Sequence, residues 1–584
     1  MGILLPLLVG IVPLLILPRW SFYFDVVPRV VLLLAIAAVT LVWGGAWRVP
    51  LNRRARRFFM LVILQGAAIL LSTIFSTHRE FSFFGSAWRK EGLLVELAIL
   101  VIAAATLTSI SADGRRLHTF LRITVLASLP AALYGILQYF GIDPWILAAG
   151  YHFGNGAFMI VRPPSTLGHA AYFATFLLYA VFAAIALAAM ETGLWKTAAV
   201  AVAAIAGLAI VLSGTRAALL GAVMGAGFVV ARDGLSAKHV RKAAAAGAVA
   251  LAVLTAFYVS PAGERLRARA HWEQDDRLGG ARLLLWRDTL RMAGSRWMAG
   301  YGPETFAVEF PKHESLELAR AYPDFYHESP HNIFLDALIS NGVLGFASLI
   351  AWSAFGLALS RGPIGGAFVA MLVSQQFTSF TAATELYFFI TLAFLASDFA
   401  GLGVSNAPRT VFRYALAVPF ACFAVYLAIG DATLASARRS LDGNDVVSAA
   451  RQVSRARAWH ASADIHFSRR FLTASTADPA SRLRAWKYAF ETARTAPETA
   501  DDPMNAFVNL ASFYAGEGDA VQVDHCLRSA IGVAPNWFKP HWLLAQVLAL
   551  EGRKTEAEAE ARAAAERQGK EAEAGQIVKR SITR

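Results

Sequence analysis

The stretch HESPHNIFLDALISNGVLGF, residues 327–346, is where a polar loop turns into an apolar helix. His331 and Asn332 stand at the changeover, nine residues separate Asn332 from Gly342, and two more separate Gly342 from Gly345. An imidazole with a reference pKa near 6.5 takes up a proton at ambient pH. At the rim of a membrane span it meets a lipid-borne molecule and a water-borne one together.

The helix that starts there is one of many. Apolar runs cover 2–18, 28–46, 58–75, 93–109, 118–140, 168–190, 196–212, 214–231, 241–259, 332–359, 364–380, 386–403 and 413–430. Each approaches or exceeds the roughly 17–25 residues of a spanning helix. Of the 584 residues 56% are hydrophobic and 16% charged, against about 25% charged in soluble domains. The chain therefore reads as an all-α, polytopic membrane protein of about 12–13 transmembrane helices followed by an α-helical repeat domain. Only Ser213-Gly214-Thr215 separates two of the runs, so that pair can be divided differently.

The net charge of +13 does not call for nucleic acid. Much of the surplus sits in short loops, as topology signals do: Arg48, Arg53, Arg54, Arg56 and Arg57; Arg115 and Arg116; Arg232, Lys238, Arg241 and Lys242; Arg361; Arg409 and Arg413. Simple alternation puts all of them on one side, the cytoplasmic one, with the N-terminus. Arg19 is on the wrong side and is outvoted. The opposite side receives 76–92, 141–167, the large loop 260–331 and everything after 430. The start MGILLPLLVG lacks a basic leader pattern. Cys422 falls inside a run and Cys526 far from it, so no structural disulfide is expected.

Two domains follow: a transmembrane one over 1–430 and a helical one over 431–584. In the large loop, RLLLWRDTLRMAGSRW has apolar residues at helical spacing, and AGYGPETF (299–306) should end that helix. Near the C-terminus Leu510-Ala511 and Gly518 recur as Leu544-Ala545 and Gly552, and Pro503 roughly as Pro535 or Pro540. The Leu-Ala and Gly offsets are 34 residues, the tetratricopeptide period. Each unit would be a helical hairpin stacked on the next.

Chemistry can sit at two kinds of residue. His271, His313, His327 and His331, with His169 more remote, gather by sequence around the loop, and Asp324 and Glu328 flank the pair His327/His331. Their i, i+4 spacing suits a metal only on a helix, which Pro330 disfavours through Ser329, and no third ligand is evident; metal binding is not expected. His331 has the competing reading of a helix cap. The second kind is arginine on the outward side: Arg89, Arg162, Arg216, Arg282 and Arg287. Positive charge there runs against the topology bias, and guanidinium forks fit phosphate oxygens. Arg216 opens a span, where a charge is expensive and marks a site by default, with snorkelling to headgroups as its alternative. Headgroup contact or a surface ion pair remains open for Arg89, Arg162 and Arg287. Gly221, Gly225 and Gly227 suit close helix packing. Gln375 and Gln376 suit hydrogen bonds between helices, and Glu385 suits an outward cap, with a neighbour of the site as its alternative.

On these residues the chain resembles the O-antigen ligase family, over roughly residues 60–400. The signature His-(Asn/Ser/Gln)-x9-Gly-x2-Gly is matched by His331, Asn332, Gly342 and Gly345, and RPPSTLGHAAYFATFL, LSGTRAALLGA, ALYGILQYFGIDPW and RLLLWRDTLRMAGSRWMAGYGPETF follow the family in order and placement. The resemblance implies a GT-C-like glycosyltransferase of the bacterial inner membrane. Its donor would be an undecaprenyl-pyrophosphate-linked glycan, its acceptor lipid A-core, its reaction inverting, with no cofactor, metal or nucleotide. By motif His331 matches the base and Arg216 an arginine at the donor pyrophosphate. Arg282, with Arg287 as rival, matches the large-loop arginine. Arg89, Arg287, Arg162, His327 and Asn332 become candidates for holding pyrophosphate or glycan. The repeat domain, placed by parity in the periplasm, departs from a plain ligase and suits a protein partner. It opens the alternatives of a protein O-oligosaccharyltransferase or a polysaccharide polymerase. A lipid-linked glycan transporter, the non-enzymatic alternative, would show inverted repeats and broken midplane helices.

Overall fold

The computed structural model describes residues 2–43, 49–50, 52–145, 152–153, 160–233, 241, 252–267, 280–323, 326–397, 404–405, 410–477 and 481–569. His271 and Asp324 lie outside them. The fold is all-α; two short antiparallel ladders, Val49–Pro50 with Val404–Ser405 and His152–Phe153 with Ile160–Val161, are minor additions. Every apolar run carries a helix, and in the run 241–259 the described residues 241 and 252–259 are helical while 242–251 lie outside the described residues. Seven helices are long and apolar enough to cross a bilayer: Arg53–Ile74, Leu93–Ala112, Arg115–Tyr139, Ala170–Met190, Gly193–Leu212, Ile333–Leu359 and Val411–Asp442. Leu4–Leu14, Val27–Val42, Gly362–Ser374 and Ala382–Ala396 are apolar but shorter. This is a multi-pass membrane protein, with seven helices of spanning length and four shorter apolar ones among the described residues.

Two of the shorter helices are short for a reason. Gly362–Ser374 and Ala382–Ala396 are separated by the irregular segment 375–381. Irregular backbone at this depth survives only where protein or a cavity receives its polar groups. Here the Gln375 carbonyl accepts from Ile333 N at 3.2 Å and the Gln376 carbonyl from Asn332 Nδ2 at 3.2 Å. The break is thus bonded to the start of the Ile333–Leu359 helix.

Within the bundle, helices approach by omitting side chains. A Cβ on Gly221 would lie 2.5 Å from the Ala370 carbonyl, and one on Gly225 2.5 Å from that of Gly366. Small residues four apart on both helices let the backbones touch. Gly227, expected to join them, faces open space. Thr215 Oγ1 donates to the Ala170 carbonyl at 3.3 Å, and Thr175 is bonded to Ser374 at 2.8 Å. With the Gln375–Ile333 bond, these contacts put the first residues of the Ala170–Met190, Arg216–Asp233 and Ile333–Leu359 helices at one end of the bundle.

Two smaller layers cover that end. Leu285, Met292, Tyr301, Phe306, Phe310 and Leu318 of the large loop form an apolar cluster that closes on Ile339. Beyond it a helical layer is built round its own apolar cluster, from Leu434 to Ala557. Its helices pair antiparallel: Asp464–Ala477 with Arg482–Thr499, Pro503–Glu517 with Ala520–Val533, Phe538–Leu550 with Lys554–Gln568. Gly518 and Gly552, 34 residues apart, end the first helices of the last two pairs in the left-handed conformation, φ +76° and +79°, which glycine adopts without a Cβ penalty. The helix Thr410–Asp442 serves both bodies. Phe420, Phe423 and Leu427 pack in the bundle and Leu434, Ala437 and Leu441 in the outer layer. The boundary expected at 430 falls within this unbroken helix.

Candidate active site

The start of the Ile333–Leu359 helix is fixed from three sides. Asn332 caps it: its Oδ1 accepts from Phe334 N at 3.0 Å and Leu335 N at 3.1 Å, while its Nδ2 donates to Gln376. Both ends of the amide are therefore taken by structure. The cap is Asn332 and not its neighbour, so His331 is released from that role. Ahead of it, Trp286 Nε1 donates to the Pro330 carbonyl at 2.9 Å, tying the turn to the Arg282–Ser295 helix. That helix, read from sequence over 282–297, gives way to the turn at Gly300, φ +72°, and Gly302, φ +105°.

The signature glycines explain the third attachment. Gly342 has φ +62° and ψ −161° in mid-helix, a region open essentially only to glycine. The ladder opens there and the large loop docks in the gap. Tyr301 N donates to the Ile339 carbonyl at 2.7 Å, Gly302 N to that of Ser340 at 3.0 Å, and Val343 N to that of Trp297 at 2.8 Å. A Cβ on Gly342 would run into the Met298 carbonyl and lie 2.8 Å from Gly300 N. At Gly345 a Cβ would overlap the side chain of Asn341, whose Oδ1 accepts from Ser72 at 2.6 Å.

His331 itself has a left-handed backbone, φ +50°. The turn aims its half-buried ring back toward Ser329, whose Oγ is 3.3 Å from Nδ1 and receives a hydrogen bond from Ser379 at 2.6 Å. Burial, the Arg282 guanidinium and then His327 push the imidazole down to about 4, against a weaker pull from Asp336. It is neutral at pH 7, and Arg282 and His327 are among its electrostatic neighbours. His327 is buried against Phe310, edge-on at 5.7 Å, and 3.8 Å from Glu314. Burial pushes His327 down to about 4 and Glu314 up to about 8, so that contact is between two neutral groups. Glu328 reaches solvent, yet partial burial and the nearby Asp501 carboxylate raise it to about 7.

The arginines part company. Arg216 is exposed as the first residue of the Arg216–Asp233 helix, where the helix dipole adds positive potential. Arg282 opens its own helix beside His331. Arg287 is bonded to Glu317 at 2.5 Å, Asp288 at 3.1 Å and Ser315 at 2.8 Å; it braces the loop. Arg89 is buried, bonded to Glu304 and, at 2.8 Å, to Asp336. Its fork is occupied by carboxylates, so it ties the 86–92 segment to the loop turn and to the helix of His331. Arg162 is half-buried just ahead of the Ser165–Leu167 turn. Glu385 does not cap its helix; Thr381 and Thr384 form the capping box, and Glu385 turns into a cavity with Asp336.

Asp336, Glu304, Trp286 and the Ser329–Ser379 pair escaped the sequence reading. Asp336 and Glu304 lie inside quoted motifs, but their shared partner Arg89 is 247 and 215 residues away, a separation no local pattern reveals. Among the described residues no group of three or more His, Cys, Asp or Glu is arranged to hold a metal ion.

No curated protein matches the chain. The family model for O-Antigen ligase matches residues 201–350, the segment that carries Arg216, Arg282, Arg287, His327, His331, Asn332, Gly342 and Gly345. That similarity supports a membrane enzyme of the glycosyl-transferring ligase and polymerase kind.

Proposed function

We propose that this protein moves a glycan from undecaprenyl pyrophosphate to an acceptor hydroxyl, of lipid A-core type, on the periplasmic face of the inner membrane. The observation that carries the reading is the neutral His331 imidazole, released from capping and held beside Arg282 at the bundle end where Arg216 also begins its helix. In the tautomer whose Nδ1–H donates to Ser329 Oγ, Nε2 presents its lone pair. The acceptor oxygen attacks the anomeric carbon, Nε2 takes its proton, and the bond to pyrophosphate breaks with inversion. Arg216 and Arg282 offset the charge that grows on the leaving group. A base near 4 is weak by itself. A bound pyrophosphate would raise it toward neutrality, since an opposite charge favours the protonated form, so the base strengthens only when the donor is in place. Arg287 and Arg89 brace this machinery, and His327 lines it; no metal or cofactor enters.

The outer helices support a protein acceptor as the second reading. Asn536 Nδ2 donates to the Glu314 carbonyl at 2.8 Å, so tetratricopeptide-like hairpins meet the loop that leads to His331. The test is transfer by the purified protein from a polyprenyl-pyrophosphate glycan, offering lipid A-core and proteins in parallel. His331→Ala is expected to lower the rate by about 100-fold to 10,000-fold with donor binding retained. Undiminished transfer by the variant would remove His331 as the base, whereas donor binding by the wild type with no transfer to either acceptor would leave a transporter as the better reading.

A further inference from the structure

One helical turn beyond Asn332, the bundle encloses a cavity of about 50 Å³. Glu91, Glu96, Asp336 and Glu385 line it, with Gln65, and Arg89 is the one basic lining residue among the described residues. Glu304 adds a fifth carboxyl through its bond to Arg89. Arg89 is already divided between Glu304 and Asp336, and its Nε is 3.6 Å from Glu91 Oε2. Five carboxyls thus face one guanidinium, with the buried Lys90 ammonium acting on Glu304 from outside the cavity, and carboxylates so placed cannot all stay ionised.

Two further atoms point to what the cavity takes. Glu91 Oε1 and Gln65 Oε1 are buried, in residues 3% and 8% exposed, and accept no hydrogen bond. Buried acceptors without donors are rare and ask for an explanation. Both line the same space, and both would be satisfied by a donor: the O–H of a protonated neighbour or of a water. The carboxyls do not converge as metal ligands.

We infer that this cavity is a proton-binding site, and that it takes up the proton His331 removes from the acceptor hydroxyl. The second half rests on the base reading above. As the acceptor oxygen bonds to the glycan and the pyrophosphate leaves with its electron pair, Nε2 holds the proton. Asp336, in the first turn after His331 and among the charges acting on its ring, receives it and passes it to Glu91. From there it leaves to water, and the imidazole is restored for the next cycle. Glu91 is the relay because its free oxygen faces the cavity.

Infrared spectroscopy of the full-length protein tests this. At pH 7 the protein should show a protonated-carboxyl C=O band that shifts in D2O and persists when Glu314, itself raised to about 8, is replaced by Gln, and Glu91→Gln should remove one carboxyl's share of what persists. In transfer assays Glu91→Gln should lower kcat about tenfold or more with the KM for donor unchanged. Absence of the band in Glu314→Gln protein, or a band untouched by Glu91→Gln, overturns the proton site, and a kcat untouched by Glu91→Gln overturns the relay. Glu385→Gln gives the same spectroscopic readout should Glu91→Gln fail to fold. The base reading fails separately: His331→Ala that still transfers removes it while leaving the infrared band in place.

Discussion

Gly342 shows how one backbone angle organises the site. Its φ of +62° opens the helix ladder, and three hydrogen bonds from the large loop enter the gap. Gly342→Ala would force a Cβ into a region that costs of order 1–3 kcal/mol and against the Met298 carbonyl. It is expected to lower the melting temperature and to cut transfer, with faster amide exchange at Tyr301 and Gly302. Normal exchange there would mean that the loop docks without the kink. The signature showed which residues matter but not their division of labour. The motif gives His331 the role of base and Asn332 a place against the substrate, and hydrogen-bond capacity bears on both: the Asn332 amide is filled by Phe334, Leu335 and Gln376, while His331 keeps a nitrogen for chemistry. Arg89 stands in the sequence as a phosphate candidate beside the alternative of an ion pair, because a sequence displays its charge and hides the Glu304 and Asp336 bonded to it.

At the scale of elements, the large loop is a small core resting on a helix, and its buried titratable groups make its stability depend on pH. Glu314 is raised to about 8 in the fold, so the native state binds that proton more tightly than the unfolded chain. Its stabilisation is complete at acid pH and fades as pH rises from about 4.5 through 8. His327 and His331, lowered to about 4, work the other way: their contribution is full above about 6.5 and is lost as pH falls through 4. Between pH 6.5 and 8 the histidines are silent and Glu314, joined below about 7 by Glu328, makes the protein lose stability, the share of Glu314 being at most about 1.4 kcal/mol per unit. Thermal unfolding at several pH values, with Glu314→Gln flattening the slope, checks this; an equal slope in the variant would count against a buried neutral Glu314. Helical periodicity made the Arg282–Ser295 helix and its glycine turn readable in advance. Span lengths were less readable, because an apolar run continues through an irregular segment such as 375–381 as smoothly as through a helix, and only the bonds from Ile333 and Asn332 show where the helix stops.

Taken whole, the molecule presses its outer helical layer onto the site loop. Asp501 accepts from Ala87 N at 2.9 Å and, through its carbonyl, from Tyr326, and the Glu566 carbonyl accepts from Arg320 at 2.6 Å. The 34-residue echo announced hairpins but not where they would rest, since Asp501 and Ala87 are 414 residues apart. The helix Thr410–Asp442 runs from bundle to outer layer without a joint, and it works as an axle between them. Two extra residues spliced in near 430 would turn everything beyond by roughly 200° and lift it about 3 Å. The expected result is a faster-exchanging 314–331 segment and lost transfer from a bundle that still inserts; retained transfer would mean that the distal helices ride along as passengers.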